Sequence, residues 1–229
     1  MNLFEENGYI ECKNYLDVND YQYLKKSLSN FIDNTDLDSI KNNNKNNFNN
    51  LRNKNKTIIN RRFKSRDGDE GLLDIWHIDK SLDKKCNTII SNINKNIKQL
   101  LEDAFKIKYI FINNNVYLNR SVTETRGIHA DSHKYPSRIK YFLYFTDIND
   151  IYDGPFSFIK GSHKIIGKKY HKKYEIYEPL NQEDKKNYII FEPKQNDMLI
   201  ACVSGAHRGM PQKPGRERLV LVGTFDPVL

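Results

Sequence analysis

The sequence predicts a mainly β fold with flanking α: an antiparallel sandwich or barrel, buttressed by helices from the N-terminal part of the chain. Three observations predict it. Helical periodicity is confined to about the first 105 residues, and strand-like runs follow it. Those runs are rich in Tyr, Phe, Ile and Val and are separated by Gly, Pro, Asn and Asp. With 229 residues, 38% of them hydrophobic and 12% aromatic, the chain can bury a sizeable core in one domain, and two full domains would be crowded.

The elements follow in order. In "YLDVNDYQYLKKSLSNFID", Tyr21, Leu24, Leu28 and Phe31 recur at helical spacing behind the capping residues Asp17 and Asn19. Residues 41–56 are dominated by Asn and Lys and hold too few apolar side chains to offset the entropy of ordering them, so they are expected to form a loop. The wider segment 41–70, placed before the sheet, is expected to act as a lid. "SRDGDEG" is turn chemistry and leads into the apolar "LLDIWHI". A second helix is predicted from 82 to about 105, on the recurrence of Leu82, Cys86, Ile90, Ile93, Ile97 and Leu100. Strands are predicted at 109–119, 138–148, 156–159, 188–193, 197–203 and 218–225. The organisation read from this is one domain over 1–229, with a helical N-terminal part at about 1–108 and a β core at about 109–229.

Composition narrows the setting. The opening "MNLFEENGYIECKN" carries acids early and has no apolar leader core, and no run approaches the roughly 18 apolar residues a membrane span requires, so a cytoplasmic location is expected. Cys12, Cys86 and Cys202 are far apart with no CxxC, which indicates neither a disulfide framework nor a zinc knuckle. The net charge of +8 admits an anionic partner. Much of it lies in "KNNNKNNFNNLRNKNK" and "KIIGKKYHKKY", and such lysine blocks are ordinarily solvated faces.

The chemistry concentrates around "RGIHADSHK". Residues i and i+2 of a strand share a face, so His129 and Asp131 would offer an imidazole and a carboxylate to one cavity. The same spelling occurs in "WHIDK" with His77 and Asp79, so the tripeptide alone decides nothing. "SGAHRG" supplies His207 just after a predicted strand. Two histidines and one carboxylate on one face of a metal form the facial triad of non-haem Fe(II) oxygenases. Arg218 opens the strand beyond His207, and its alternation with Val220 and Val222 aims it inward, where a guanidinium could grip a carboxylate bidentately. Arg216 shares that parity and is the second candidate.

The order "HAD", then "DGPFSFIKGSHK" at 153–164, then "HRG" with Arg218 beyond, resembles the phytanoyl-CoA dioxygenase-like branch of the Fe(II)/2-oxoglutarate oxygenases. The opening "FEENGYIECKNYLDVNDYQYL" is also similar to the N-terminus of that family. Asp153 stands where the family often has Asn, and Lys160 where it often has Pro. The resemblance implies a double-stranded β-helix, the cupin-like jelly roll. It implies His129, Asp131 and His207 as iron ligands and catalytic centre, and Arg218 as the anchor for the distal carboxylate of 2-oxoglutarate. It also implies O2 as co-reactant and oxidation of a substrate C–H bond with release of succinate and CO2. Further cosubstrate contacts belong on the strand before "HAD", where Asn115, Tyr117 and Asn119 share a parity. Position in this order favours His129 over His77 as the ligand.

The expected partner is a small-molecule substrate, and the basic excess admits a phosphorylated, carboxylated or carrier-linked one; neither a membrane nor nucleic acid is expected. His133 shares parity with Asp131 and would line the cavity mouth, while His163 in "KGSHK" reads as a turn residue bonded to backbone and Trp76 as a core residue. The rival reading is a non-catalytic jelly-roll protein that binds another metal or a polyanion through the lysine tracts.

Overall fold

Local chemistry sets the helical layer. In the computed structural model, which describes residues 3–37, 40, 56–62, 69–131, 137–165 and 182–228, a short helix α1 (Leu3–Asn7) and strand β1 (Tyr9–Cys12) lead into helix α2 (Val18–Asp33). Asp17 caps α2 by accepting from the backbone N–H groups of Asn19 and Asp20 at 3.0 and 3.1 Å. Its buried stripe is Tyr21, Leu24, Leu28 and Ile32, with Phe31, expected inside, only half-buried. Helix α3 (Lys84–Phe105) is capped by Asp83, which accepts from Cys86 N at 2.8 Å. It buries Cys86, Ile89, Ile90, Ile93, Ile97 and Leu101, while Leu82 and Leu100 of the predicted row are only half-buried.

The strands form two antiparallel sheets. The larger takes the order β1, β8 (Met198–Cys202), β5 (Ile139–Tyr144), β10 (Glu217–Pro227), β4 (Tyr109–Arg120), β3 (Leu73–Trp76), β2 (Ile58–Arg61). The smaller takes the order β7 (Tyr188–Ile190), β6 (Phe156–Ile159), β9 (His207–Gly209). A short helix α4 (Gln182–Asn187) precedes β7. Strand β10 is central, running against β4 from Glu217 opposite Arg120 to Pro227 opposite Tyr109, and against β5 on its other edge.

Alternation along these strands divides the core in two. Tyr141, Leu143, Ile200, Leu219 and Leu221 pack with the helical stripes. Their neighbours Phe142, Tyr144, Leu199, Ala201, Val220 and Val222 pack with Phe156, Phe158 and Phe191 of the smaller sheet side. Residues of even number on β5 and β10 therefore face the space between the sheets, and Lys140 and Arg218 follow that parity.

Two expectations change. The N-terminal part is not purely helical, because β1, β2 and β3 lie within it and extend both edges of the larger sheet. Four-residue strands show too few alternations to be read, and they are held by pairings distant in sequence, such as Tyr9 with Ala201 and Leu73 with Leu118. The strand predicted at 138–148 ends at Tyr144; beyond it Asp147 accepts from Gln195 N of the loop before β8, and Asp150 accepts from Tyr152 N in a turn. The Asn/Lys loop at 41–56 falls almost entirely outside the described residues, and of the expected lid at 41–70 only 56–62, which holds strand β2, and 69–70 are described. All three cysteines are free, and no helix among the described residues is long and apolar enough to cross a membrane.

Asp197 ties the N-terminal segment to the start of β8. It accepts from Lys194 N at 2.9 Å, Asn14 N at 3.1 Å and Lys13 Nζ at 2.9 Å. Burial alone would raise its carboxyl; these donors outweigh burial and hold it below the usual carboxylate value. A depressed folded-state value means stability that is present above the unfolded value of about 3.9 and lost as pH falls through the folded one. Asp197→Ala is expected to lower unfolding free energy by about 2–3 kcal/mol at pH 7, with the gap to wild type narrowing as pH falls below about 4, as read from denaturant titrations.

Candidate metal centre

His207 begins β9, and its place is set by the residue two before it. A Cβ on Gly205 would meet Phe158 Cζ at 2.6 Å and Ser162 Oγ at 2.8 Å, so only glycine lets the chain pass this close to β6. Gly205 O in turn accepts from His207 Nδ1 at 2.9 Å. Gly205→Ala is expected to cost about 1–3 kcal/mol of stability and to weaken Co(II) uptake, measured by denaturation and by the visible spectrum of the bound ion.

His129 sits beside His207 through a reciprocal pair of backbone hydrogen bonds, each 2.9 Å. Its Nδ1 bonds Gly127 O at 2.9 Å, the same device as in His207. With Nδ1–H of each ring spent on a carbonyl, each Nε2 carries the lone pair. His129 Nε2 is buried with no hydrogen-bond partner. The rings are 4.6 Å apart, and Phe156 stacks on His207 at 5.4 Å. Asp131 is held by its N–H to Val203 O at 2.8 Å, and its carboxylate lies 3.6 Å from His129 Nε2 and 3.8 Å from His207 Nε2. One ligand atom from each of the three lies within 4.8 Å of the others.

The electrostatics suit a cation. Burial would raise the Asp131 carboxyl, but Lys140 at 2.6 Å, followed by the two imidazoles, holds it well below the usual carboxylate range. Burial, then the neighbouring His129, pushes the His207 imidazole down to about 3, so it is neutral and able to ligate at any physiological pH. A carboxylate and two imidazoles, with one buried Nε2 that meets no protein donor among the described residues, fit a divalent metal.

The same cavity contains Arg218, which is 7% exposed. Arg218 Nη1 donates to Gly154 O, its Nε has no partner, and no carboxylate bonds to it among the described residues. Burial lowers its pKa from the ordinary value. The "DGP" turn supplies that carbonyl: Gly154 has φ +74°, and a Cβ there would meet Gln212 Cγ at 2.6 Å. Opposite Arg218, Asn119 also lines the cavity with a buried amide oxygen that has no partner.

Other candidates separate. Arg216 is exposed and pairs with Asp153 at 3.3 Å and Asp150 at 3.9 Å, away from the cavity. It stands in the turn before β10, where strand parity does not apply. Asn115 also lies off this cavity: it donates to Asp74 at 3.1 Å and lines an adjoining one, whereas Tyr117 lines both. Residues 115, 117 and 119 share a face of β4, yet each step of two advances almost 7 Å, too far for all three to meet one ligand. His77 is buried at φ +56° at the start of a 3-10 turn, Ile78–Lys80, and lines neither cavity. His163 bonds Glu5 O at 2.9 Å, a backbone contact as expected. His133 lies outside the described residues.

The sequence reading missed Lys140, Asp69, Arg62 and Arg126, all of which line the triad cavity. Lys140 left a signal, a lysine in phase with Phe142 and Tyr144 on a buried strand. Asp69 and Arg126 left none, since their pairing at 3.0 Å spans 57 residues.

No family model matches the chain, and no curated protein matches it. Solved structures do. The epimerase SnoN in complex with Fe3+, alpha ketoglutarate and nogalamycin RO superposes with a TM-score of 0.66 at 10% identity, covering 97% of this chain and 80% of that one. AviO1 from Streptomyces viridochromogenes Tue57 gives 0.64 at 12% identity, covering 97% and 90%. HygX from Streptomyces hygroscopicus, with nickel, 2-oxoglutarate and hygromycin B bound, gives 0.60 at 11% identity, covering 99% and 86%. The chain thus has the cupin-like jelly-roll fold, two antiparallel sheets with helices packed outside the larger.

Proposed function

We propose that residues 1–229 act as one non-haem Fe(II)/2-oxoglutarate-dependent oxygenase, which hydroxylates or otherwise oxidises a C–H bond of a small molecule and releases succinate and CO2. One observation carries the reading: a metal-ligand triad and a buried guanidinium that has no carboxylate partner among the described residues share a single cavity between the sheets. The guanidinium calls for a counter-charge, and the imidazole lone pairs beside a carboxylate call for a cation. The solved structures with iron or nickel and 2-oxoglutarate support the same reading, as does the order of motifs that resembles the phytanoyl-CoA dioxygenase-like branch.

When bound, Fe(II) and 2-oxoglutarate supply oxidative decarboxylation by O2, coupled to oxidation of the substrate. The protein's residues do the rest. His129 and His207 would hold the metal through Nε2, and Asp131 through its carboxylate. Arg218 would pair with the distal carboxylate of 2-oxoglutarate, with Gly154 O fixing the guanidinium and Gly209 leaving room beside it: a Cβ there would stand 3.3 Å from Nη2. Phe142, Tyr144, Phe156 and Val220 line the same cavity and keep water from it. A carboxylate at Asp131 occupies the position where halogenating relatives of this class have a small residue, which supports hydroxylation. The polyanion-binding reading draws on lysine tracts that lie almost wholly outside the described residues, whereas both histidines of the triad are buried.

The test is turnover. Fe(II)-dependent conversion of 2-oxoglutarate to succinate under O2, with a weak visible band on anaerobic addition of Fe(II) and 2-oxoglutarate, is expected. Tight Zn(II) binding with neither band nor succinate would reject the proposal.

A further inference from the structure

We infer that the second cavity, on the Asp131 and Lys140 side of the triad, receives the primary substrate and selects an uncharged, hydroxyl-rich molecule, a polyol or the glycosyl part of a larger compound. The inference rests on the oxygenase reading of the triad. It sets aside a phosphorylated, carboxylated or carrier-linked substrate.

Location comes first. Arg62, Tyr117, Arg126, Asp131 and Lys140 line both cavities, so a molecule in the second lies against one of the triad's own residues. The second cavity has a volume of about 280 Å³, room for a ring of sugar size.

Charge decides the class. Four cations line the cavity, and each already has a carboxylate. Arg62 donates to Asp69 and to Asp74, each at 3.1 Å, and Arg126 Nε donates to Asp69 at 3.0 Å. Arg138 makes a bidentate pair with Asp226 at 2.6 and 2.6 Å, and Lys140 contacts Asp131 at 2.6 Å. The charge of these four is thus already matched by carboxylates in place, so an anionic group entering here would meet no uncompensated cation and would stand close to the carboxylates of Asp74 and Asp131. Arg218, in the triad cavity, is the contrasting case: a buried cation with no such partner. The two adjoining cavities thus differ in what they ask for, one a carboxylate and the other a neutral molecule.

Hydrogen bonding gives the rest. Asp74 can only accept, so Asn115 must present its NH2 there and its oxygen to Asn113, whose NH2 donates to it. That chain leaves the Asn113 amide oxygen as a fixed acceptor without a protein partner among the described residues. The hydroxyls of Tyr117 and Thr224 likewise make no hydrogen bond there, and Lys140 uses one of its three protons on Asp131. Against this polar rim stand Trp76, half-buried rather than in the core as its sequence context suggests, and Ile112. Rigid acceptors, free hydroxyls and an indole wall complement a ring that carries hydroxyls at its edge and C–H groups on its face.

Trp76 is the only tryptophan of the chain, so tryptophan emission reports on this cavity directly. The experiment titrates the full chain, loaded with Zn(II) and 2-oxoglutarate to prevent turnover, with matched pairs: glucose and glucose 6-phosphate, sucrose and sucrose 6-phosphate, myo-inositol and its 1-phosphate, together with acetyl-CoA. At least one neutral member is expected to give a saturable emission change, at least tenfold tighter than its phosphorylated partner. Thr224→Val, with unchanged circular dichroism, is expected to weaken that response several-fold. Equal or tighter binding of the phosphorylated members or of acetyl-CoA, or no saturable change from any probe, overturns the inference. The visible band of anaerobic Fe(II) and 2-oxoglutarate separates the failures. A band with no neutral-probe response sinks the substrate class alone; no band sinks the oxygenase reading and this inference with it.

Discussion

Arg218→Met is expected to raise the KM for 2-oxoglutarate by roughly 100-fold or more, while Fe(II) or Co(II) uptake at the triad is retained. Two charge-assisted hydrogen bonds in a buried site are worth about 1.5–3 kcal/mol each, and methionine keeps the stem's volume but none of the donors. The same substitution has a second expected effect of opposite sign. In the free protein Arg218 is a buried cation with one carbonyl partner and, among the described residues, no carboxylate, so removing its charge relieves a desolvation cost and should stabilise the ligand-free protein. Loss of cosubstrate affinity together with a gain in melting temperature marks a ligand-binding residue. A purely structural arginine would show the reverse, with stability lost and KM unchanged.

Asp131→Ala is expected to abolish metal binding and succinate release, and also to destabilise the protein by about 3–5 kcal/mol. The second effect comes from Lys140, whose ammonium is largely buried and loses its carboxylate partner 2.6 Å away. Its pKa is governed first by burial, which lowers it, then by Asp131, which with Tyr117 more than restores it; without Asp131 the ammonium loses its carboxylate partner while burial and the nearby Arg126 still act against its charge. The double variant Asp131→Ala/Lys140→Met should therefore recover most of the lost stability and none of the metal binding. Calorimetry on the pair and Co(II) titration of each provide the check. If the double variant were as unstable as the single one, the ion pair would not be the cause.

How far these side chains were legible depends on the distance over which each is specified. The long helices were readable because their stripes and caps are local: Asp17 and Asp83 lie within three residues of the N–H groups they accept from. The long strands were readable from aromatic and β-branched runs, and on β10 parity was enough to turn Arg218 inward. The same parity misled at Arg216, because it counts only while the chain remains extended. Along β4 it grouped Asn115 with Asn119, although one lines the second cavity and the other the first. The short strands β1 to β3, and the cluster of Arg62, Asp69, Asp74 and Arg126, were not legible. Their partners lie elsewhere in the chain, and an ion pair carries no sequence period. His129, Asp131 and His207 were approachable only through their order among other motifs, since "WHIDK" spells the same tripeptide where His77 is a buried residue at a left-handed turn.

The most direct measurement is a crystal structure of the protein grown anaerobically with Mn(II), as a redox-quiet stand-in for Fe(II), and 2-oxoglutarate, with data collected at the manganese edge. The account predicts one strong anomalous peak about 2 Å from Nε2 of His129, Nε2 of His207 and a carboxylate oxygen of Asp131, with the far carboxylate of 2-oxoglutarate paired to Arg218. A peak elsewhere, or 2-oxoglutarate bound away from that guanidinium, would contradict it.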